Sequence, residues 1–112
     1  MITITHTGKV LCINGRELTL EYPIKESFDV NGIVIVLLDP DSNLGSHGQF
    51  RNVIGFDANG NQVWIAELPT EKTSDVYYQV SSRTPLKLSS FCSYECEVDP
   101  KTGKILSKSF YK

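Results

Sequence analysis

The side chains that could bind a metal or act as nucleophiles are three cysteines and two histidines: Cys12, Cys92, Cys96, His6 and His47. Only Cys92 and Cys96 are close in sequence, and residues four apart on one strand are about 13 Å apart. A structural zinc site needs four ligands, which commonly come as two pairs of residues close in sequence. A thiol enzyme needs a histidine beside its catalytic cysteine. The spacing supplies neither, so we expect free thiols, no metal and no cofactor.

The segment Asp41–Gln49, which reads DSNLGSHGQ, is the longest stretch without hydrophobic periodicity. Its oxygen-bearing side chains resemble those of a calcium-binding loop, but Leu44 and Phe50 stand where an EF-hand needs glycine and glutamate. We therefore expect an ordinary surface loop, and such loops on a β scaffold often carry binding sites. If the protein binds a small ligand, Asp41 and His47 are the candidate ligand-binding residues, and His47 is the acid–base group.

Three tyrosines are candidate interface residues, because tyrosine is enriched at protein interfaces: Tyr77, Tyr78 and Tyr94. The alternative is that these rings pack in the core with the hydroxyl at the surface. The sequence contains no phosphate-binding loop, dinucleotide fingerprint, nucleophile elbow or zinc-protease motif. No residue is therefore predicted to be catalytic, and a non-enzymatic role is favoured.

Length and charge limit the classes of protein that fit. A chain of 112 residues with 40% hydrophobic residues is predicted to form a single domain over residues 1–112. The formal net charge of −2 does not predict a nucleic-acid partner, which needs a basic face. The longest apolar run, Ile33–Leu38, is far shorter than the roughly 20 residues that cross a bilayer. We expect a cytoplasmic protein that binds neither nucleic acid nor membrane.

The elements that must position these residues are short strands. Asn-Gly pairs at Asn14, Asn31 and Asn59 predict tight hairpins, the clearest of them within Asn52–Pro69 with Trp64 as a core anchor. The continuous run Ile33–Leu38 predicts a strand covered on both faces.

The ambiguous segment Ile24–Val30 is interpreted as a strand. Lysines near the end of the chain leave a terminal helix as a second alternative to a last strand. The prediction is an all-β domain with about nine to eleven short antiparallel strands in a meander and little or no helix. The sequence does not distinguish three arrangements of these strands: blade-like hairpins, a small sandwich and a barrel.

Two segments share a pattern that suggests an internal repeat. Phe56–Trp64 and Val98–Leu106 each read as an apolar residue, aspartate, a turn with glycine, a polar residue and two apolar residues. The pattern resembles the outer hairpin of quinoprotein-type propeller blades, and its spacing of 42 residues is near one blade length. The chain has room for two to three blades, which cannot close a ring.

A longer series of motifs resembles an uncharacterised family of short bacterial all-β proteins. Its motifs, in order, are EYPIKE from Glu21, VIVLLD from Val34, RNV from Arg51, GNQVW from Gly60, and Asp99–Ile105 followed by Phe110 and Lys112. The resemblance implies a compact β fold and brings no established activity. The sequence departs from the family pattern at Phe91–Ser93, where similar sequences carry an Asp-Gly turn.

We expect a non-enzymatic protein-interaction module of a bacterial cytoplasm, whose partner is another protein or a second copy in a homodimer. An immunity-like protein that blocks a toxin is one form of this hypothesis. The alternative is a small-ligand binder or hydrolase that uses the loop Asp41–Gln49.

Overall fold

The computed structural model describes residues 2–42 and 49–110, and within these ranges the chain forms eleven strands and no helix. No described segment is therefore a long apolar helix of the kind that crosses a membrane. The strands are β1 (Ile4–Thr7), β2 (Val10–Ile13), β3 (Arg16–Thr19), β4 (Ile24–Val30), β5 (Ile33–Leu38), β6 (Val53–Phe56), β7 (Gln62–Ile65), β8 (Tyr77–Ser82), β9 (Lys87–Ser90), β10 (Tyr94–Val98) and β11 (Ile105–Phe110). The predicted all-β fold class is confirmed, and the ambiguous segments 24–30 and 105–110 are strands.

The strands form three antiparallel meanders in chain order. Sheet A is β1-β2-β3, sheet B is β4-β5-β6-β7, and sheet C is β8-β9-β10-β11. Each strand pairs with its sequence neighbour, as short connections between antiparallel strands allow. Across the described residues the three sheets make an open stack, which is neither a closed barrel nor a propeller.

Two of the Asn-Gly pairs form the predicted two-residue hairpins. Asn14 and Gly15 have φ values of 50° and 86°, and Asn31 and Gly32 have 49° and 87°. Positive φ at both central residues is the geometry that matches the twist of the flanking strands. These two turns therefore set the registers of β2 with β3 and of β4 with β5.

The third hairpin, between β6 and β7, uses a longer turn closed by an aspartate. Asp57 Oδ1 accepts hydrogen bonds from the N–H groups of Asn59 and Asn61, both at 2.9 Å, and Gly60 has a φ of 85°. The N–H of Asn61 is the main reason that the pKa of Asp57 lies below its usual range. The carboxylate therefore closes the turn as a hydrogen-bond acceptor.

The turn between β10 and β11 repeats this geometry. Asp99 Oδ1 accepts a hydrogen bond from the N–H of Lys101 at 2.9 Å, and Gly103 has a φ of 74°. In both hairpins the strand register also shifts just before the aspartate, at Phe56 and at Val98. The two similar sequence segments thus occupy the same place, between the third and fourth strands of sheets B and C.

Sheet B lies in the middle of the stack, with an apolar cluster against each of its faces. One apolar cluster lies between sheets A and B: Leu11, Ile13, Ile24, Val34, Val36, Leu38 and Phe56. The larger cluster lies between sheets B and C and includes Ile35, Leu37, Val53, Tyr77, Leu88 and Val98. Successive residues of β5 alternate between the two clusters, because side chains on a strand point to opposite faces. The prediction that this strand is covered on both faces is confirmed.

Trp64 fixes the last turn of sheet C against sheet B. Its ring is 7% exposed, and its Nε1–H donates a hydrogen bond to the carbonyl oxygen of Pro100 at 2.8 Å. Gly55 and Gly103 leave the space for the ring, because a Cβ at either glycine would overlap it. Trp64 is therefore the core anchor that the sequence predicted.

Asn52 provides a polar link between sheets B and C. Its side chain is fully buried, and its Nδ2 group donates hydrogen bonds to the carbonyl oxygens of Leu38 at 3.0 Å and Tyr77 at 2.6 Å. Its Oδ1 atom accepts the N–H of Tyr77 at 3.1 Å. The amide thus satisfies backbone groups that neither sheet pairs internally at this point.

Candidate functional site

The loop predicted to carry a ligand site is only partly described. Asp41 is exposed just after β5, and its N–H donates a hydrogen bond to Asp39 Oδ1 at 3.0 Å. This is turn chemistry, in which an aspartate side chain mimics a backbone acceptor. His47 lies outside the described residues. At the far end of the loop, the side chain of Gln49 donates to the carbonyl oxygens of Thr70 and Lys72.

The three candidate interface tyrosines lie in different surroundings. Tyr77 is fully buried, and its hydroxyl donates a hydrogen bond to the carbonyl oxygen of Glu67 at 2.6 Å. Burial, followed by the nearby Cys96, raises its pKa. Because Tyr77 has no exposed surface, it is a core residue of sheet C rather than a surface contact. The candidate interface therefore retains only Tyr78 and Tyr94.

Tyr78 and Tyr94 are half-buried on two different strands of sheet C, β8 and β10. The carbonyl oxygen of Tyr78 accepts a hydrogen bond from Lys25 Nζ at 2.7 Å, which ties β8 to β4. The ring of Tyr94 packs edge-on against Phe110 with 5.3 Å between centroids, and Lys108 Nζ lies 5.2 Å from its centre. Tyr94 and the 60% exposed Phe110 thus form a small aromatic surface at the edge strand β11.

The cysteines and His6 do not come together in one site. Cys12 belongs to sheet A, whereas Cys96 lies in β10 of sheet C and Cys92 in the turn before it, on the other side of sheet B. Burial raises the pKa of Cys96, which favours its neutral thiol. His6 Nδ1 instead lies 2.7 Å from Ser27 Oγ. Over residues 2–42 and 49–110, no three histidine, cysteine or acidic side chains are grouped in a way that could hold a metal ion.

The structure reveals an apolar surface that was not among the predicted site residues. Val63 and Ile65, in β7, are 46% and 42% exposed, although they flank the buried Trp64 in a continuous apolar run. They face the side of sheet A, which has three strands, whereas sheet B has four. The face of β7 is thus left without a covering strand. We call Val63, Ile65 and the groove beside them the β7 surface.

The groove of the β7 surface has a volume of about 410 Å³. It is lined by mostly apolar side chains, which include Leu20, Tyr22, Phe50, Ile54 and Ile65, and by Arg51 and Gln62. Tyr22 and Phe50 pack edge to face with 4.8 Å between their centroids, which fixes one wall. The only sequence signal for this surface was the number of strands in each sheet. Three strands precede Pro23, whereas each of the two later sheets has four strands.

Comparisons with known proteins give a family but no activity. Residues 1–110 match a family model described as a domain of unknown function, DUF7957. No curated protein is similar enough to count as a match. The predicted resemblance to an uncharacterised all-β family is confirmed to this extent.

Proposed function

Since the chain belongs to the DUF7957 family, whose function is unknown, we propose that it is a non-enzymatic protein-interaction module of a bacterial cytoplasm. Its binding site is the β7 surface, and its partner is another protein. The carrying observation is that Val63 and Ile65 are nearly half exposed on a strand whose other face holds the buried Trp64. Apolar side chains exposed together beside a groove mark interaction sites more often than isolated ones do.

Sheets B and C are, in this proposal, two copies of one blade-like unit. Both are four-stranded meanders, and both close their last hairpin with aspartate and a glycine of positive φ. Sheet A is an incomplete third unit that lacks its last strand. This interpretation supports the binding site, because the missing strand is the element that would otherwise cover β7.

The test is a comparison of two substitutions that each place a charge on an exposed apolar side chain. Ile65→Glu changes the β7 surface, and Leu106→Glu changes β11, whose Leu106 is 61% exposed on a different sheet. Tagged protein is used to capture partners from the bacterial lysate, and captured proteins are identified by mass spectrometry. We expect Ile65→Glu to lose a partner that the wild type and Leu106→Glu both retain. A strictly monomeric wild type without any copurifying protein would count against the proposal.

A second candidate function is small-ligand binding in the same groove. Its volume of about 410 Å³ falls within the usual range for ligand pockets of about 300–1,000 Å³. Phe50 lines the groove and directly follows the loop Asp41–Gln49 in the sequence, and Asp41 and His47 are the candidate ligand-binding residues of that loop. A ligand-dependent thermal shift that survives substitution of both Asp41 and His47 by alanine would contradict a role for this loop, whether in binding or in hydrolysis.

A further inference from the structure

The outer edge of β3 presents unpaired backbone groups toward the missing strand position. The N–H of Leu20 donates to the carbonyl oxygen of Lys9 at 2.8 Å, so residue 20 faces β2. Backbone groups alternate in direction along an antiparallel strand, so Glu17 and Thr19 turn their N–H and C=O groups away from β2. Of the described strands, none lies beside β3 on that side. This edge can therefore accept hydrogen bonds from an added strand.

The edge strands of sheets B and C are built differently from β3. Each has at least one extra residue opposite its partner strand: Lys25 in β4, Val63 in β7, Tyr78 and Ser81 in β8, and Leu106 in β11. Such bulges increase the local twist and discourage edge-to-edge pairing. In contrast, β3 pairs with β2 in an unbroken register from Arg16 to Thr19. The remaining edge, β1, also has a regular register, but it packs beside β4.

A strand added to β3 would also cover the β7 surface. It would continue sheet A into the position above β7, at the usual sheet separation of about 10 Å. Side chains on its inner face would meet Ile65 and the groove next to Leu20. The open edge and the uncovered apolar face thus border the same missing strand.

We propose that β3 binds an extended segment of a partner protein as the fourth strand of sheet A. This inference rests on the proposed interaction function and specifies the partner's conformation and chemistry. The segment carries apolar residues at alternate positions, which face Ile65, and lysine or arginine between them. The basic residues lie beside Glu17, which is exposed on β3, and near Glu21, which is exposed just beyond the end of β3 and lines the groove. Opposite charges on neighbouring strands stabilise such pairing.

A second copy of this chain does not fit the position through its own β3. Pairing of two β3 edges about a two-fold axis places both copies of sheet B on the same side of the joined sheet. Because sheet B extends one strand beyond sheet A at this edge, the two copies of β7 would overlap sheet B of the opposite copy. The proposed occupant is a segment of a different protein rather than the β3 edge of a second copy. A single added strand is a small contact, so binding is expected to be weak and reversible.

The experiment uses the full chain and two acetylated, amidated eight-residue peptides. One alternates lysine with valine, and the other alternates glutamate with valine. Affinity is measured by fluorescence anisotropy, and backbone protection by amide hydrogen exchange. We expect the lysine peptide to bind more tightly and to slow exchange at Glu17 and Thr19 at least about tenfold, as new backbone hydrogen bonds require. Glu17→Lys should weaken the lysine peptide by about fivefold, the size expected for reversing one cross-strand charge pair.

Two substitutions at one position separate backbone pairing from side-chain contact. Thr19→Pro removes the outward N–H at an edge position where proline is tolerated, and should abolish peptide binding. Thr19→Val keeps the backbone N–H and should retain peptide binding. Thermal unfolding of both variants verifies that they fold, and the exchange measurement on the wild type stands independently of either.

Three results would overturn strand addition. They are peptide binding without protection of Glu17 and Thr19, equal affinity for the glutamate peptide, and no binding of either peptide. In each case, a lysate partner that is lost with Ile65→Glu would still support the interaction function. The failure of this inference is therefore distinguishable from the failure of the function on which it rests.

Discussion

Asn52 should contribute more to stability than any exposed polar residue, because its buried amide joins sheets B and C. The substitution Asn52→Ala removes three hydrogen bonds and leaves the C=O of Leu38 and both backbone groups of Tyr77 without this partner. A buried polar group left unpaired costs about 1–3 kcal/mol. At the low end of that range for each of the groups, the free energy of unfolding should fall by about 3 kcal/mol.

The assay is urea unfolding followed by the fluorescence of Trp64, which lies in the same interface between sheets B and C. A loss of about 3 kcal/mol corresponds to a fall in melting temperature of roughly 12 °C for a domain of this size. Asn59→Ala is the matched control, because Asn59 is exposed in a turn and should change stability by less than about 0.5 kcal/mol. If Asn52→Ala and Asn59→Ala had equal effects, the amide would not be a structural link between the sheets.

Three further substitutions or measurements probe the fold. Gly103→Ala should destabilise the protein more than Gly8→Ala, since both have positive φ but only Gly103 contacts the Trp64 ring; equal melting temperatures would contradict this. The pKa of Asp57 is lowered in the folded protein, so its carboxylate stabilises the fold above the ordinary carboxyl pKa, and this contribution is lost as the pH falls through the folded-state pKa. The substitution Asp57→Asn should therefore reduce the loss of stability at acid pH, as measured by urea unfolding at a series of pH values. Cys96 should react with a thiol reagent at pH 8 more slowly than the other two cysteines, and at the same rate in denaturant; rapid native labelling would show that its burial is transient.

The local elements of the fold were predictable from short-range chemistry. Asparagine and glycine tolerate the left-handed conformation, so Asn14-Gly15 and Asn31-Gly32 specify their hairpins wherever the sheets lie. The β-branched run of β5 likewise requires cover on both faces. The division into three sheets was not predictable, because it depends on which strands stack, and this is decided by contacts far apart in sequence, such as that of Trp64 with Pro100. The geometry of the turn at Phe91–Ser93 was also not predictable, and in the structure Ser93 has a φ of 73°.

The candidate site was less predictable than the fold. Residue type alone suggested Tyr77 as an interface residue, but its hydroxyl finds an acceptor on Glu67 inside the protein, which permits full burial. Val63 and Ile65 gave no sequence sign of exposure, because they lie in the continuous apolar run from Val63 to Ala66, which is typical of a strand covered on both faces. Only the stacking of a three-stranded sheet on a four-stranded one exposes them.

The chemistry of the outer faces argues that partners bind at an edge of the stack rather than on its ends. The outer face of sheet A carries Thr5, Thr7, Glu17 and Thr19 around the half-buried Val10 and Cys12, and that of sheet C carries Ser89, Glu95, Glu97, Ser107 and Ser109. Threonine and serine suit a strand without offering the apolar area that a further stacked sheet would need. This disfavours a homodimer in which two open stacks pack face to face. The bulges in sheets B and C discourage pairing at their edges, so β3 and the β7 surface are the place where another chain can add both hydrogen bonds and apolar contact.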